Sequence, residues 1–192
     1  MSAFVEGREL GRLITVSSDG EPHVGLYPFL FDGARIELHL NRKDEQLADL
    51  VASSRCAFVV DEPLAVVPSY WLHAEIATFA TAYYRTVLFA CEASVSTEAD
   101  VLVDQQTRLM ARYQREGGFR PLAAADPLYR GALGMIAALR LEVRSRKLKW
   151  KLGQNRRPEQ RLEVARHLRE RGRPLDAHAA DLVEATLGRG AR

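Results

Sequence analysis

The pattern of hydrophobic and polar positions makes the first half of the chain read as β structure. Arg12 to Ser17 reads as a short apolar strand, and Ser18-Asp19-Gly20-Glu21 reads as a turn. His23 to Phe31 is nearly all apolar, which predicts a strand covered on both faces. Pro28 inside it cannot donate to a ladder, so it predicts an edge position or a bulge. Asp32-Gly33 is a second hairpin signal. In Arg35 to Asn41, Ile36, Leu38 and Leu40 fall on one face, with Glu37, His39 and Asn41 on the other. The period then changes. Asp44 to Ala52 carries Leu47, Leu50 and Val51 at helical spacing, with acids in its first turn. Cys56 to Asp61 and Leu64 to Val67 read as two short strands split by Pro63, and Thr78 to Ser94 as one long one.

Helical signals dominate next. Glu98 to Glu116 points Leu102, Leu109 and Tyr113 at a core and meets a stop at Gly117-Gly118. Asp126-Pro127 is a cap followed by a first-turn proline, which opens a second helix. A last strand covers about Leu139 to Leu152. Its apolar residues switch from odd positions (Leu139, Leu141, Val143) to even ones (Leu148, Trp150, Leu152), which predicts a bulge or break at Ser145 to Lys147. Pro158 opens a helix through Arg171, with Leu162, Ala165 and Leu168 inward and Gly172 as its stop. Asp176 to Leu187 is the final helix, and the last four residues are expected to fray. Six or more short strands with hairpin turns predict an antiparallel β-barrel with peripheral helices. The expected organisation is a barrel domain over 1–157, with inserted helices at 98–138, and a helical hairpin over 158–192 packed on it.

Composition narrows the class. A chain of 192 residues with 47% hydrophobic and 27% charged residues suits an ordinary globular core, not a disordered or fibrous chain. The start MSAFVEGREL lacks the pattern of a secretory signal, and no run of about 18 apolar residues is present, so a cytoplasmic chain with no membrane contact is expected. Cys56 and Cys91 fall in strand-like runs and read as small buried hydrophobes. Five scattered histidines without paired spacing give no local metal motif, so no metal is expected. Dinucleotide, P-loop and nucleophile-elbow motifs are all missing.

The net charge of +2 hides an asymmetry. Arg140 to Arg173 holds thirteen Lys or Arg and four acids, a local charge of +9, which leaves −7 for the rest. Within it, Lys147, Lys149 and Lys151 share one strand face, and Gly153-Gln154-Asn155-Arg156-Arg157 follows as a turn rich in amides and guanidinium groups. Read without a relative, the lysines are either edge protection or an anion site.

The string Lys149-Trp-Lys-Leu-Gly-Gln-Asn-Arg156 resembles the C-terminal signature of the FMN-binding negative transcriptional regulators of PaiB type, with Trp for Phe and Gly for Ser. Val67-Pro68-Ser69-Tyr70-Trp71 and His39-Leu40-Asn41-Arg42-Lys43 are similar to two further blocks of that family. The resemblance implies a flavin-binding split barrel of the pyridoxamine-phosphate-oxidase-like kind, a homodimer, and FMN as cofactor. It implies either transcriptional repression or a flavin-dependent oxidoreductase with an unassigned small-molecule redox substrate. Within it, Arg42 and Lys43 are candidates for the phosphate, with His39 and Asn41 on the same strand as further donors. Tyr83 and Arg85 are candidates near the ring, and Lys149, Lys151, Gln154 and Asn155 would reach the site from the C-terminal block. Catalytic side chains remain unassigned. One alternative is a DNA-binding regulator that works through the basic segment without flavin, and another is haem held by His23 or His39.

Overall fold

The computed structural model describes residues 1–188, so the expectation of fraying at the last four residues lies outside the described part. Seven strands form one sheet in the order β2-β1-β5-β6-β7-β4-β3, and helices complete a mixed α+β fold. The strands are β1 (Leu10–Val16), β2 (Pro22–Pro28), β3 (Leu30–Phe31), β4 (Arg35–Asn41), β5 (Arg55–Val67), β6 (Thr81–Ser96) and β7 (Ile136–Lys151). The helices are α1 (Ser2–Glu6), α2 (Glu45–Ala52), α3 (Ala99–Tyr113), α4 (Pro127–Leu133), α5 (Pro158–Arg171) and α6 (Asp176–Ala185). The chain groups into two compact units, 1–60 with 87–147, and 61–86 with the residues from Leu148 onward.

In the first unit the alternation of β4 is realised as expected. Ile36, Leu38 and Leu40 are buried opposite Leu141, Leu139 and Ala137 of β7. Phe58 of β5 and Phe89 of β6 join the same core, with Phe29 edge-on to Phe58 at 5.1 Å. Pro28 closes β2, an edge strand, opposite Leu10 of β1, a position where a missing donor is tolerated. Asp44 caps α2 by accepting from the Gln46 amide, and Asp126 caps α4 by accepting from Leu128. The five-residue α1, which buries Phe4 and Val5, is too short for a periodic signal.

Four expectations are corrected. β2 is not covered on both faces, since Val24 and Leu26 are exposed on this edge strand. Pro63 does not divide two strands, because β5 runs unbroken through it. The β1 ladder reaches only Val59, so the proline lies beyond the stretch that must donate to that neighbour. The phase switch in β7 is likewise not a break in the strand. The strand is continuous, and the division between units falls at Lys147/Leu148. Leu139 and Leu141 are buried in the first unit and Leu152, just past the strand, in the second, while Leu148 between them is exposed and Trp150 half-buried. On α5, Leu162 is 50% exposed and Arg161 takes the inward place with Val164, Ala165 and Leu168. The inward stripe is therefore 161, 164, 165 and 168, and the aliphatic stem of Arg161 is buried while its Nη2 donates to the Val183 carbonyl at 3.4 Å.

The second unit packs α5 and α6 with Leu64, Val67, Trp71 and Tyr83. The two helices group with these segments.

Candidate functional site

The candidate residues fall into two groups, one in each unit. In the first unit, β4 and the turn after it carry His39, Asn41, Arg42 and Lys43. His39 faces Ala138 across the ladder, on the face where Ala138 packs with Leu102 of α3 and Leu133 of α4. Burial there pushes the imidazole below its ordinary pKa, and its Nδ1 is buried with no partner among the described residues. His39 is thus a neutral ring under the helices. Asn41 accepts from the Lys43 amide at 2.9 Å and shapes the turn. Arg42 donates from Nε to the Ile136 carbonyl at 3.0 Å and from Nη2 to the Thr97 carbonyl at 3.4 Å, so it braces β7 against the end of β6. The Lys43 side chain is exposed.

The second group is more concentrated. Tyr83 is buried at 2% exposure and presses on Gly153, where an added Cβ would lie 2.4 Å from its hydroxyl. Its role here is packing, and burial raises its pKa. Arg85 forms a buried pair with Glu62, with Nη2 to Oε2 at 2.5 Å, and its guanidinium stands 5.7 Å from the Trp150 ring. His178 joins them, 3.3 Å from Glu62 Oε1 and 3.4 Å from Arg85 Nη2. Gln154 is committed to its own turn: its Oε1 accepts from Leu152 N at 2.9 Å and its Nε2 donates to the Trp150 carbonyl at 2.7 Å. Lys149, Lys151 and Asn155 are exposed. The Lys149 ammonium lies 5.8 Å from the Tyr84 ring, and Arg156 sits over Phe79 at 4.4 Å.

Sequence reasoning missed two features. Glu62 and His178 complete the Arg85 cluster; an acid inside the apolar run of β5 was the available signal for Glu62. A cleft of about 370 Å³ in the first unit is lined by Arg35, Arg108, Arg112 and Arg140 around the buried Glu37. These arginines come from three separate elements, so no local motif announces them. Both Arg108 and Arg140 pair with Glu37, which holds a carboxylate on the face assigned to solvent.

The basic segment also resolves into kinds. Arg140 and Arg144 pair with Glu37 and Glu92. Arg166 pairs with Glu163 and Glu170, Arg169 with Asp181 and Glu184, and Arg171 with Asp176. Lys147, Lys149, Lys151, Arg156 and Arg157 have no acid partner among the described residues.

Comparison with known proteins places this arrangement in a family. Residues 1–145 match the family described as "Putative FMN-binding domain", and the chain belongs to it. Among solved structures, the flavocytochrome Anf3 from Azotobacter vinelandii is similar, at 15% identity and a TM-score of 0.62, over 78% of this chain and 65% of that one. The FAD and haem binding protein from Mycobacterium smegmatis matches at 19% identity and a TM-score of 0.62, over 78% of this chain and 69% of the other. The haem storage protein HutZ from Vibrio cholerae matches at 14% identity and a TM-score of 0.52, over 78% and 91%. None of the curated proteins matches. The likenesses establish the flavin-binding split-barrel fold. Among the described residues no helix is long and apolar enough to cross a membrane. The family match stops at residue 145, so the Lys149–Arg156 string lies outside it.

Proposed function

We propose that this chain is a flavoprotein of PaiB type that binds FMN. Membership of the FMN-binding family over residues 1–145, on a split-barrel sheet, is the observation that carries the reading. The donor chemistry present fits the cofactor. A phosphate dianion needs cations whose N–H groups are not already taken up. Lys149 and Lys151 meet that need, with exposed Asn155 and Arg157 nearby in sequence, while Arg42 is engaged with backbone carbonyls. Tyr84 and Phe79 lie beside Lys149 and Arg156 as half-buried flat faces suited to an aromatic ring. When bound, the flavin supplies the redox chemistry, and the protein's part is to bind, orient and shield it. A homodimer and a small-molecule redox substrate belong to this reading through the resemblance. The PaiB type is supported by the Lys149–Arg156 string, and transcriptional repression enters with it. Direct contact of α5 with DNA gains no support from its arginines, since Arg166, Arg169 and Arg171 are each held by acids.

The test is titration of the purified protein with FMN, followed by flavin fluorescence. The expected outcome is binding at micromolar FMN or below, with release of about tenfold or more in affinity in Lys149→Ala/Lys151→Ala, because charge-assisted bonds contribute about 1.5–3 kcal/mol each. Absence of flavin absorbance in the purified protein and of any binding on titration would sink the reading. The same spectrum, taken after haem addition, tests His23 or His39 as a haem ligand by the presence of a Soret band.

A further inference from the structure

Cys56 and Cys91 are free thiols in the first unit, the first half-buried and the second 5% exposed. Their placement follows from the ladders. β1 pairs with β5 in the register Leu13↔Phe58 and Ile14↔Ala57, so the next step sets Thr15 opposite Cys56. On the other side of β5, Ala93 of β6 donates its amide to the Ser54 carbonyl at 2.7 Å. Two residues inward along this antiparallel pair, Cys91 comes opposite Cys56. Directly opposed residues share a face and have Cα atoms about 4.5–5.5 Å apart. That spacing lies inside the roughly 4.4–6.8 Å range that a disulfide spans. Both thiols also line one cleft of about 640 Å³, together with Thr15, Arg55 and Arg144. Small solutes therefore have a route to the pair.

We propose that Cys56 and Cys91 are a dithiol that closes to an intrachain disulfide between β5 and β6 when a small disulfide oxidant enters this cleft. The more accessible Cys56 reacts first. Its thiolate attacks one sulfur of the oxidant, forms a mixed disulfide and releases one thiolate. The Cys91 thiolate then attacks the Cys56 sulfur, completes the intrachain bond and releases the second. The protein loses two electrons and two protons, and the oxidant is reduced to two thiols. Arg144 is paired with Glu92, which also lines the cleft, so charge there does not select the oxidant; oxidised glutathione is used as a small disulfide of the class the exchange requires. Burial pushes both thiols up to about 12, and Cys56 further raises Cys91, so the thiolate is scarce at neutral pH. The exchange is accordingly slow at neutrality and speeds up with alkalinity.

The experiment incubates the folded full-length chain with oxidised glutathione at neutral and at alkaline pH, then measures intact mass and maps peptides. The expected product has lost two hydrogens, carries no glutathione and yields a Cys56–Cys91 cross-linked peptide, faster at the higher pH. Cys91→Ser is expected to stop at a stable glutathione adduct on Cys56, and Cys56→Ser to react far more slowly. Wild-type protein that accumulates a glutathione adduct, or keeps both thiols at alkaline pH while the same chain in urea oxidises, would overturn the proposal. None of these readouts requires FMN, so their failure is separable from failure of the flavin reading.

Discussion

Gly153 should be the least replaceable small residue of the second unit. Two independent costs meet there. Its φ is +77°, a left-handed conformation that costs an L-residue about 1–2 kcal/mol. A Cβ would also lie 2.4 Å from the Tyr83 hydroxyl and 3.1 Å from the Tyr83 ring carbon that carries it. Tyr83 is 2% exposed and cannot swing away freely, so overpacking adds about 1–3 kcal/mol. Gly153→Ala should therefore destabilise the unit by about 2–5 kcal/mol. Gly172 is the internal control, with φ +66° but no atom nearer its Cβ than the Arg169 carbonyl at 3.9 Å. Gly172→Ala should show the conformational cost alone, about 1–2 kcal/mol. Removing the hydroxyl in Tyr83→Phe/Gly153→Ala should recover part of the clash, because the closest atom goes and the ring carbon stays. Both tryptophans, Trp71 and Trp150, lie in the second unit, so urea unfolding followed by tryptophan fluorescence reads that unit selectively. Equal losses in Gly153→Ala and Gly172→Ala, or no recovery in the double variant, would refute the argument.

Further outcomes follow from the same reasoning. Val164 is fully buried and Leu162 half exposed, so Val164→Ala should cost about 1–3 kcal/mol and Leu162→Ala under about 1, by the same fluorescence assay. Arg85→Met or Glu62→Gln should each cost about 3–5 kcal/mol by stranding a buried charge or its donors, and the double variant should cost less than their sum. His23 is raised above its ordinary pKa by its hydrogen bond to Asp49 at 2.7 Å, against the opposing effect of burial. The stabilisation from this shift is complete below the ordinary histidine range and is lost as pH rises through the raised value. Asp49 itself is held low: burial pushes it up, and the hydrogen bonds from Thr15 and His23 outweigh that. Its contribution is present above the ordinary carboxylate range and disappears as pH falls through the lowered value. Asp49→Asn should bring the His23 titration, followed by NMR, down toward its ordinary position; an unmoved titration would contradict the pairing.

The parts of the fold that were legible were those where one short segment carries both the pattern and its cause. β4 alternates because one face meets β7 across a buried layer, and α2 starts where Asp44 supplies the cap. What stayed hidden depended on partners distant in sequence. Whether Pro63 breaks a strand depends on how far β1 runs beside β5. Whether His39 faces solvent depends on α3 and α4, which arrive some sixty residues or more later in the chain. Arg161 takes the inward place that a hydrophobicity rule gives to Leu162, because its long stem packs and the Val183 carbonyl receives its head. Among the candidate site residues, Lys149 and Lys151 kept the exposure that the strand alternation implied. The engagement of Gln154 with its own turn could not be read from its residue type.

The +9 segment shows why counting charge along a chain is a weak guide to binding. Arg166, Arg169 and Arg171 account for much of the apparent basic helix, yet each faces one or two carboxylates at hydrogen-bond distance. At such range the opposite charges cancel one another's field beyond about a Debye length, roughly 8–10 Å in physiological salt. Of the segment's cations, Arg146, Lys147, Lys149, Lys151, Arg156, Arg157, Arg161 and Arg173 have no acid ion pair among the described residues; Arg161 is buried, and six of the eight lie between Arg146 and Arg157. Anion attraction is therefore concentrated at the end of β7 and the turn after it, not on α5. A ligand with a compact dianion suits such a short stretch, whereas a polyanion such as DNA would have to compete with the acids already bound along α5. Pairing, more than composition, is what favours a phosphorylated cofactor over a nucleic acid for this chain.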